Sequence, residues 1–259
     1  VDNALGEIGG EEAGEFLYRE YLGANSDAYK NHLLVLMSRA GHEPALSRST
    51  ELLKLDPYKS QYRAVYFYGT MGESSVPFLI NKLDHWSPSV RKNAAQMLGQ
   101  WFLAQEATKP IISRYAKEED QSVRGKLLDA LERTMVDLRA LEQFMKKVEK
   151  EEKDGLVRRF ARESIKNIPR LREALKRRQG ERRPDQKSFK KAYDDLYDSK
   201  GENGSFRALG LASDFRDEQA LALLRARILR RGTPEAVYDA QEINRIILIN
   251  RLIRSEGLG

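Results

Sequence analysis

The feature that most constrains the fold is an internal repeat with a nearly constant period. Six segments share a short pattern in which a large apolar residue is followed, in most copies, by glycine or serine. The leading residues of the six segments are Leu5, Met37, Tyr68, Leu98, Leu131 and Ile165, so successive copies lie 30 to 34 residues apart. A period of this length is typical of stacked helical units, each of which buries its apolar face only against its neighbours.

Each period is predicted to contain two helices joined by a turn. In the second helix, apolar residues recur at i, i+4 and i+8, which places them on one face. These helices follow Asn, Asp, Ser, Pro or Gly, as at Ser87, and such residues suit a helix start. The first helix is predicted from segments such as 76–83 and 138–145, and Pro77 and Pro110 fit its first turn. No segment alternates apolar and polar residues long enough to predict a strand ladder.

Residues 75–83 and 89–99 carry a resemblance to the HEAT repeat family, in the short bacterial form also seen in phycobilisome lyase-type repeats. The resemblance covers residues 1–169 well and the remainder loosely. It implies an all-α fold, a right-handed, armadillo-like superhelix of about six helix pairs with a diverged helical cap at the C-terminal end. It implies little about function, because this solenoid is a scaffold that hosts many roles.

Three regions are predicted along the chain. Residues 1–169 form the repeats and begin in mid-repeat, because residues 1–10 have the pattern of a second helix without its partner. Residues 170–204 form a basic insertion, with a loop from Lys176 and a short helix over 188–197. Residues 205–259 form the cap, in which helices over 217–229 and 240–253 flank a turn at 232–234. A removed N-terminal signal is compatible with a first residue other than Met, so the sequence assigns no compartment.

Composition excludes several classes of protein. The chain of 259 residues has no cysteine, which excludes disulfides, thiolate metal sites and a cysteine nucleophile. No apolar run approaches the roughly 18 residues of a membrane span. The net charge is +6 and the apolar fraction is 41%, a balance that is too apolar for a disordered chain. We therefore expect a folded protein with no membrane span and no cofactor.

Positive charge is concentrated in residues 146–191. This region has 18 basic and 8 acidic residues, so it carries +10 while the rest of the chain carries −4. One interpretation is a nucleic-acid or polyanion surface, with four basic residues on one second helix as candidates: Arg158, Arg159, Arg162 and Lys166. The other interpretation is a solvated helix surface, because charges of both signs alternate at i,i+3 and i,i+4 over 146–153.

Aromatic residues give a second candidate surface. Tyr62 and Tyr66 lie one turn apart in a second helix, and Trp101 lies near the end of the following second helix. Aromatic and arginine side chains often anchor protein interfaces, so these residues and the 158–166 helix are candidates for partner binding. The alternative is that the aromatic residues belong to the core.

No residue pattern predicts a reaction. His42-Glu43 resembles the metal-binding pairs of a HEAT-fold hydroxylase, but such a site needs several pairs and this chain has only one. Asp84 and His85 could form a general base in an inter-helix loop, yet no nucleophile accompanies them. We therefore predict no catalytic and no metal-binding residues.

One arginine recurs in each of three second helices, at Arg91, Arg124 and Arg158. The recurrence fits a basic ladder on the concave face, or pairs with acidic loop residues such as Asp120 and Asp154. The family resemblance implies the pairs. The leading functional hypothesis is a non-catalytic scaffold that binds another protein through its concave surface, and polyanion binding through 146–191 is the alternative.

Overall fold

The structure is a computed structural model. It describes residues 6, 9–54, 57–179, 218, 221, 222, 225, 228, 229 and 234–257, with side chains omitted at 57–62, 178, 179, 234 and 235. Every regular element in these ranges is helical, which confirms the all-α prediction. None of the helices in these ranges is long and apolar enough to cross a membrane.

Consecutive helices form five pairs within the described part of the chain, and each pair is a first helix followed by a second helix. The pairs are α1 (Glu11–Gly23) with α2 (Asp27–Ala40), α3 (Thr50–Lys54) with α4 (Pro57–Met71), α5 (Ser75–Lys82) with α6 (Pro88–Gln96), α7 (Thr108–Tyr115) with α8 (Gln121–Thr134), and α9 (Leu138–Glu151) with α10 (Gly155–Gln179). A further helix, α11 (Pro234–Ser255), packs against α10 and the middle of the chain. This stacking is an α-solenoid, while its handedness and a count of six pairs stay predictions.

The second helices begin where the sequence predicts, because short polar side chains replace the missing backbone partners of the first turn. Ser26 accepts a hydrogen bond from the Tyr29 amide at 3.4 Å, and Asp120 accepts one from the Val123 amide at 3.0 Å. Such caps are worth about 1 kcal/mol each. Asp154 caps α10 in the same way, whereas Ser87 makes no side-chain cap hydrogen bond at the start of α6.

One continuous apolar core runs through the stack. Corresponding second-helix residues Val90, Val123 and Val157 are all buried, and so are Ala94, Leu127 and Ala161 one turn further on. Two helices approach each other closely at Gly99, where a Cβ would stand 2.6 Å from the Cα of Ala130. Glycine at this position therefore lets the end of one second helix rest on the backbone of α8.

The segment after α6 departs from a regular α-helix. Met97–Phe102 is π-helical, and it ends at Leu103, which has a φ of 50° in the left-handed region. Its free carbonyl groups accept hydrogen bonds from the C-terminal part of the chain. Asn244 donates to the Gln100 carbonyl at 2.8 Å, Arg225 donates to the Trp101 carbonyl at 2.6 Å, and Arg251 donates to the Leu103 carbonyl. Arg225 and two side chains of α11 thus complete the hydrogen bonding of a π-helix in the middle of the solenoid.

Two expectations about the second half are corrected. The loop expected from Lys176 is wrong as far as Gln179, because α10 continues through Pro169 to that residue. Pro234 was expected in a turn but is the first residue of α11, a position where its missing amide is harmless. The rest of the basic insertion, the 188–197 helix and most of the 1–10 helix lie outside the described residues, and the domain boundaries stay predictions.

Candidate partner-binding groove

Three successive second helices, α6, α8 and α10, present equivalent positions to a common surface. Because Val90, Val123 and Val157 occupy the same buried position, the residue before each valine can be compared directly: Ser89, Ser122 and Leu156. The residue three positions after those is Lys92, Gly125 and Arg159. The first of these positions therefore changes from serine on α6 and α8 to leucine on α10, while the second position is basic on α6 and α10 and glycine on α8.

An open groove of about 850 Å³ crosses these helices. We call it the second-helix groove, and it is lined by Lys92, Gln96, Gln100, Gln121, Ser122, Gly125, Lys126, Asp129, Asp154, Leu156, Val157 and Phe160. Its lining residues belong to second helices, to the N-terminal cap of α10 and, for Gln100, to the π-helical segment that follows α6. The groove is thus a product of the stacking and not of a single unit.

The end of the groove on α10 is apolar. Leu156 is 75% exposed and stands beside the partly buried Phe160 and the buried Val157. Single exposed leucines are ordinary on protein surfaces. A leucine that lies in a groove next to an aromatic ring, at a position where the two preceding units have serine, is a more specific feature.

The rest of the groove is polar, and most of its charges are already neutralised. Lys126 pairs with Asp129 at 3.1 Å, and Asp154 accepts hydrogen bonds from the amides of Leu156 and Val157 at 2.9 Å. Gln96 donates to Gln100 at 2.9 Å. The half-buried Lys92 makes no ion pair with any residue that the structure describes. Its ammonium group is therefore available to a ligand.

A ladder of arginine–glutamate pairs runs along the loops at one edge of the stack. Arg91 forms a bidentate pair with Glu118, at 2.7 Å for both contacts, and Arg114 adds a third contact at 3.0 Å. In the next unit Glu152 accepts from Arg124 and, at 2.6 Å, from the Tyr115 hydroxyl. Each pair joins one unit to the next, so the recurrent arginines act in stacking.

This ladder corrects the partners expected from the sequence. Asp120 and Asp154 were expected to pair with the arginines, but both cap second helices, and the glutamates two residues earlier form the pairs. A cap uses the carboxylate of the residue at the helix start, which leaves the longer side chain in the preceding loop to reach across. Arg158 is exposed and makes no ion pair within the described ranges, so the ladder there has two steps.

The ladder makes stability depend on acid pH. Burial alone would raise the pKa of Glu118 and of Glu152, but hydrogen bonds outweigh it and lower each pKa to about 2. The donors are Arg91, the Asp120 amide and Arg114 for Glu118, and Tyr115, the Asp154 amide and Arg124 for Glu152. A carboxylate whose pKa is lower in the folded protein than in the unfolded chain stabilises the fold at pH values above its unfolded-state pKa. This stabilisation is lost as the pH falls through its folded-state pKa.

We therefore expect the free energy of unfolding to fall between pH 4.5 and pH 2, as these two carboxylates take up protons. Burial has the opposite effect on Glu132, because it raises the pKa of that carboxyl group. The stability that Glu132 contributes is therefore lost as the pH rises through its folded-state pKa. Urea unfolding at a series of pH values measures the balance. The variant Glu118→Gln/Glu152→Gln should have a shallower pH dependence in this window, and an unchanged slope would contradict the assignment.

The residues that the sequence singled out do not form one surface. Trp101 is 2% exposed, so it belongs to the core and not to the partner-binding surface where it was expected. Tyr66 is partly buried and packs against the core on α4, three second helices before α10. The side chain of Tyr62 lies outside the described residues.

The four basic candidates lie together on the exposed side of α10. Arg162 pairs with Glu149 at 2.7 Å, and Lys166 pairs with Glu163 at 2.9 Å. Arg158 and Arg159 make no ion pair with the described residues. Half of the expected basic surface is therefore neutralised by neighbouring carboxylates.

The sequence interpretation missed Leu156, Gly125 and Lys92. The signal was available in the aligned units, where leucine replaces serine and glycine occupies the interior of a helix.

Asp84 and His85, the candidate general base, do not form a catalytic pair, because each side chain has another partner. The Asp84 carboxylate faces Arg114 at 3.4 Å, and Nδ1 of His85 accepts the Ser87 amide at 3.0 Å. Within the described part of the chain, no three His, Cys, Asp or Glu side chains are grouped as a metal site.

Comparison with known protein families supports the repeat assignment. A family model described as HEAT repeats matches residues 76–166, a segment that contains the whole second-helix groove. A search of curated proteins finds no match to the sequence. HEAT repeats are commonly protein-interaction scaffolds and are typically non-enzymatic. Residues 76–166 of the chain are therefore recognised as HEAT repeats.

Proposed function

We propose that this protein is a non-catalytic scaffold that binds a segment of a protein partner in the second-helix groove. The observation that carries the proposal is Leu156, which is 75% exposed inside an open groove of about 850 Å³. A leucine and a phenylalanine ring that lie together at one end of the groove can be desolvated by a partner. The surrounding amides and charges resemble the polar rim of a protein interface.

The absence of catalysis is part of the proposal. The groove lining contributes one hydroxyl group, that of Ser122, and no imidazole or thiol. Its carboxylates have other partners, since Asp129 pairs with Lys126 and Asp154 caps α10. A nucleophile with an adjacent base, the arrangement of covalent catalysis, is therefore missing from this lining.

Polyanion binding through residues 146–191 is the less supported alternative. Arg158 and Arg159 favour it, because both are exposed and without ion pairs to the described residues. Arg162 and Lys166 oppose it, because a phosphate would have to displace a carboxylate from each. Arg172 likewise already contacts Glu142 and Glu256.

The test compares two leucines that are both exposed but lie in different places. A photo-crosslinking residue at Ser122 is expected to capture partner proteins in cells, and Leu156→Glu is expected to abolish the capture. Leu22→Glu, the same substitution at a 58% exposed leucine on α1, should leave the capture intact. If both variants captured partner proteins equally well, the groove would not be the partner-binding site.

The alternative is tested with fluorescent duplex and single-stranded DNA and RNA, titrated across salt. We expect no binding at physiological ionic strength. Micromolar binding with a steep salt dependence, lost on neutralising Arg158, Arg159, Arg162 and Lys166 together, would instead favour polyanion binding.

A further inference from the structure

We infer that the ligand of the second-helix groove is an extended peptide that carries an apolar side chain and a carboxylate about five or six residues apart. The inference rests on the proposed function and specifies its partner. The apolar side chain would contact Leu156 and Phe160, the carboxylate would pair with Lys92, and the peptide backbone would cross α8 at Gly125.

The crossing point follows from Gly125. Glycine in a helix interior costs about 1 kcal/mol relative to alanine. A Cβ at Gly125 would meet nothing within 4 Å, and its φ is not positive, so neither packing nor backbone conformation within the described residues needs glycine here. The equivalent positions on the flanking helices are Lys92 and Arg159, which have long side chains. Gly125 therefore leaves a low passage between them, where a peptide backbone can approach closely.

The chemistry of the two ends differs. Leu156, Val157 and Phe160 form the apolar end on α10. At the other end, Lys92 is half-buried and makes no ion pair with the described residues, whereas the nearby Lys126 is neutralised by Asp129. Charge complementarity with an unpaired, half-buried ammonium group favours a carboxylate on the ligand.

The spacing between the two ends sets the length of the peptide. Packed helices lie 8–10 Å apart, so the two steps from α6 to α10 cover about 16–20 Å. An extended chain advances about 3.3 Å per residue, and five or six residues span that distance. The groove favours an extended ligand over a helical one, because its apolar surface is confined to one end and an amphipathic helix needs a continuous apolar row.

Glutamine side chains between the ends suit a peptide backbone. Gln96, Gln100 and Gln121 line the groove, and each amide offers both donor and acceptor groups. An extended strand presents its N–H and C=O groups to both sides and can bond to such amides without any requirement on its own side chains. The sequence preference would thus come from Lys92 and from the apolar end.

The experiment selects a displayed library of random twelve-residue peptides on the full chain and measures the enriched peptides by fluorescence anisotropy. We expect an acidic and an apolar residue five or six positions apart. Lys92→Glu should weaken these peptides at least tenfold, and a repeated selection on that variant should replace the acidic residue with lysine or arginine. Lys109→Glu, the same change at an exposed lysine on α7, should leave the affinities unchanged.

A second variant separates this inference from the proposed function. Gly125→Leu fills the passage at a site where the added atoms have open space, so the protein should fold and lose the peptides. Enriched peptides that lose affinity for Gly125→Leu but lack the acidic and apolar pair would overturn the inference and leave the proposed function standing. Selections that yield no peptide, or only peptides that bind Gly125→Leu normally, would overturn the inference, and the crosslinking at Ser122 then decides the proposed function independently.

Discussion

Replacing Glu118 with alanine is expected to lower the free energy of unfolding by about 3 to 5 kcal/mol, the usual cost of breaking a buried ion pair from one side. The Glu118 side chain is 1% exposed, and its removal leaves the Arg91 guanidinium buried without a counter-charge. The amides of Glu119 and Asp120 also lose their acceptor. Urea unfolding followed by circular dichroism measures the loss.

The neighbouring Glu119 provides the control for this measurement. It has the same side chain in the same loop but is exposed, so Glu119→Ala should change the free energy of unfolding by less than about 0.5 kcal/mol. If the two variants lost similar free energies of unfolding, the ion pairs of Glu118 would make no specific contribution to stability. Because Glu118 joins α6 to α7 and α8, its loss should also make the two halves of the stack unfold less cooperatively.

Replacing Gly99 with alanine is expected to destabilise the protein by about 1 to 3 kcal/mol, the usual cost of overpacking a core. The new Cβ would lie 2.6 Å from the Cα and 2.8 Å from the Cβ of Ala130, both on a helix that cannot yield locally. The two second helices would have to separate along their whole contact. The thermal midpoint and the free energy of unfolding both report this effect.

The same substitution one unit later should have the opposite sign. Gly125→Ala adds a Cβ that meets nothing within 4 Å, and it removes the cost of glycine in a helix, so we expect a gain of about 1 kcal/mol. A stabilised Gly99→Ala variant would refute the close approach at Ala130, and a destabilised Gly125→Ala variant would refute the open space at Gly125. A stabilised Gly125→Ala variant would also show that glycine is kept there at a cost to stability.

The helix-pair fold could be predicted from the sequence because its determinants are local. The apolar positions at helical spacing recur from unit to unit, and the caps expected at Ser26 and Asp120 form in the structure, whereas Ser87 makes no side-chain cap. The same spacing also places Trp101 in the core, although the sequence interpretation assigned it to the binding surface. It lies three residues after the buried Leu98, on the same apolar stripe, and it is buried although the segment there is π-helical.

The groove was only partly predictable. The sequence favoured the concave face, but it drew attention to Arg162 and Lys166, whose charges are neutralised by carboxylates on the same or the preceding helix. Whether a charge is free depends on which side chains the packing brings near it. The exposure of Leu156 and the open space above Gly125 are likewise properties of neighbouring units, and a single unit does not contain them.

The docking of the C-terminal helices on the π-helix has a consequence for the order of folding. Solenoid units can fold one after another, because each contacts only its neighbours. The carbonyl of Leu103, however, receives Arg251 from 148 residues further along the chain. At a synthesis rate of about 5–20 residues per second, that partner leaves the ribosome roughly 7 to 30 seconds later. During this interval water replaces Arg251 as the hydrogen-bond donor to the Leu103 carbonyl at the end of the π-helix. This part of the solenoid is complete only when α11 has been synthesised.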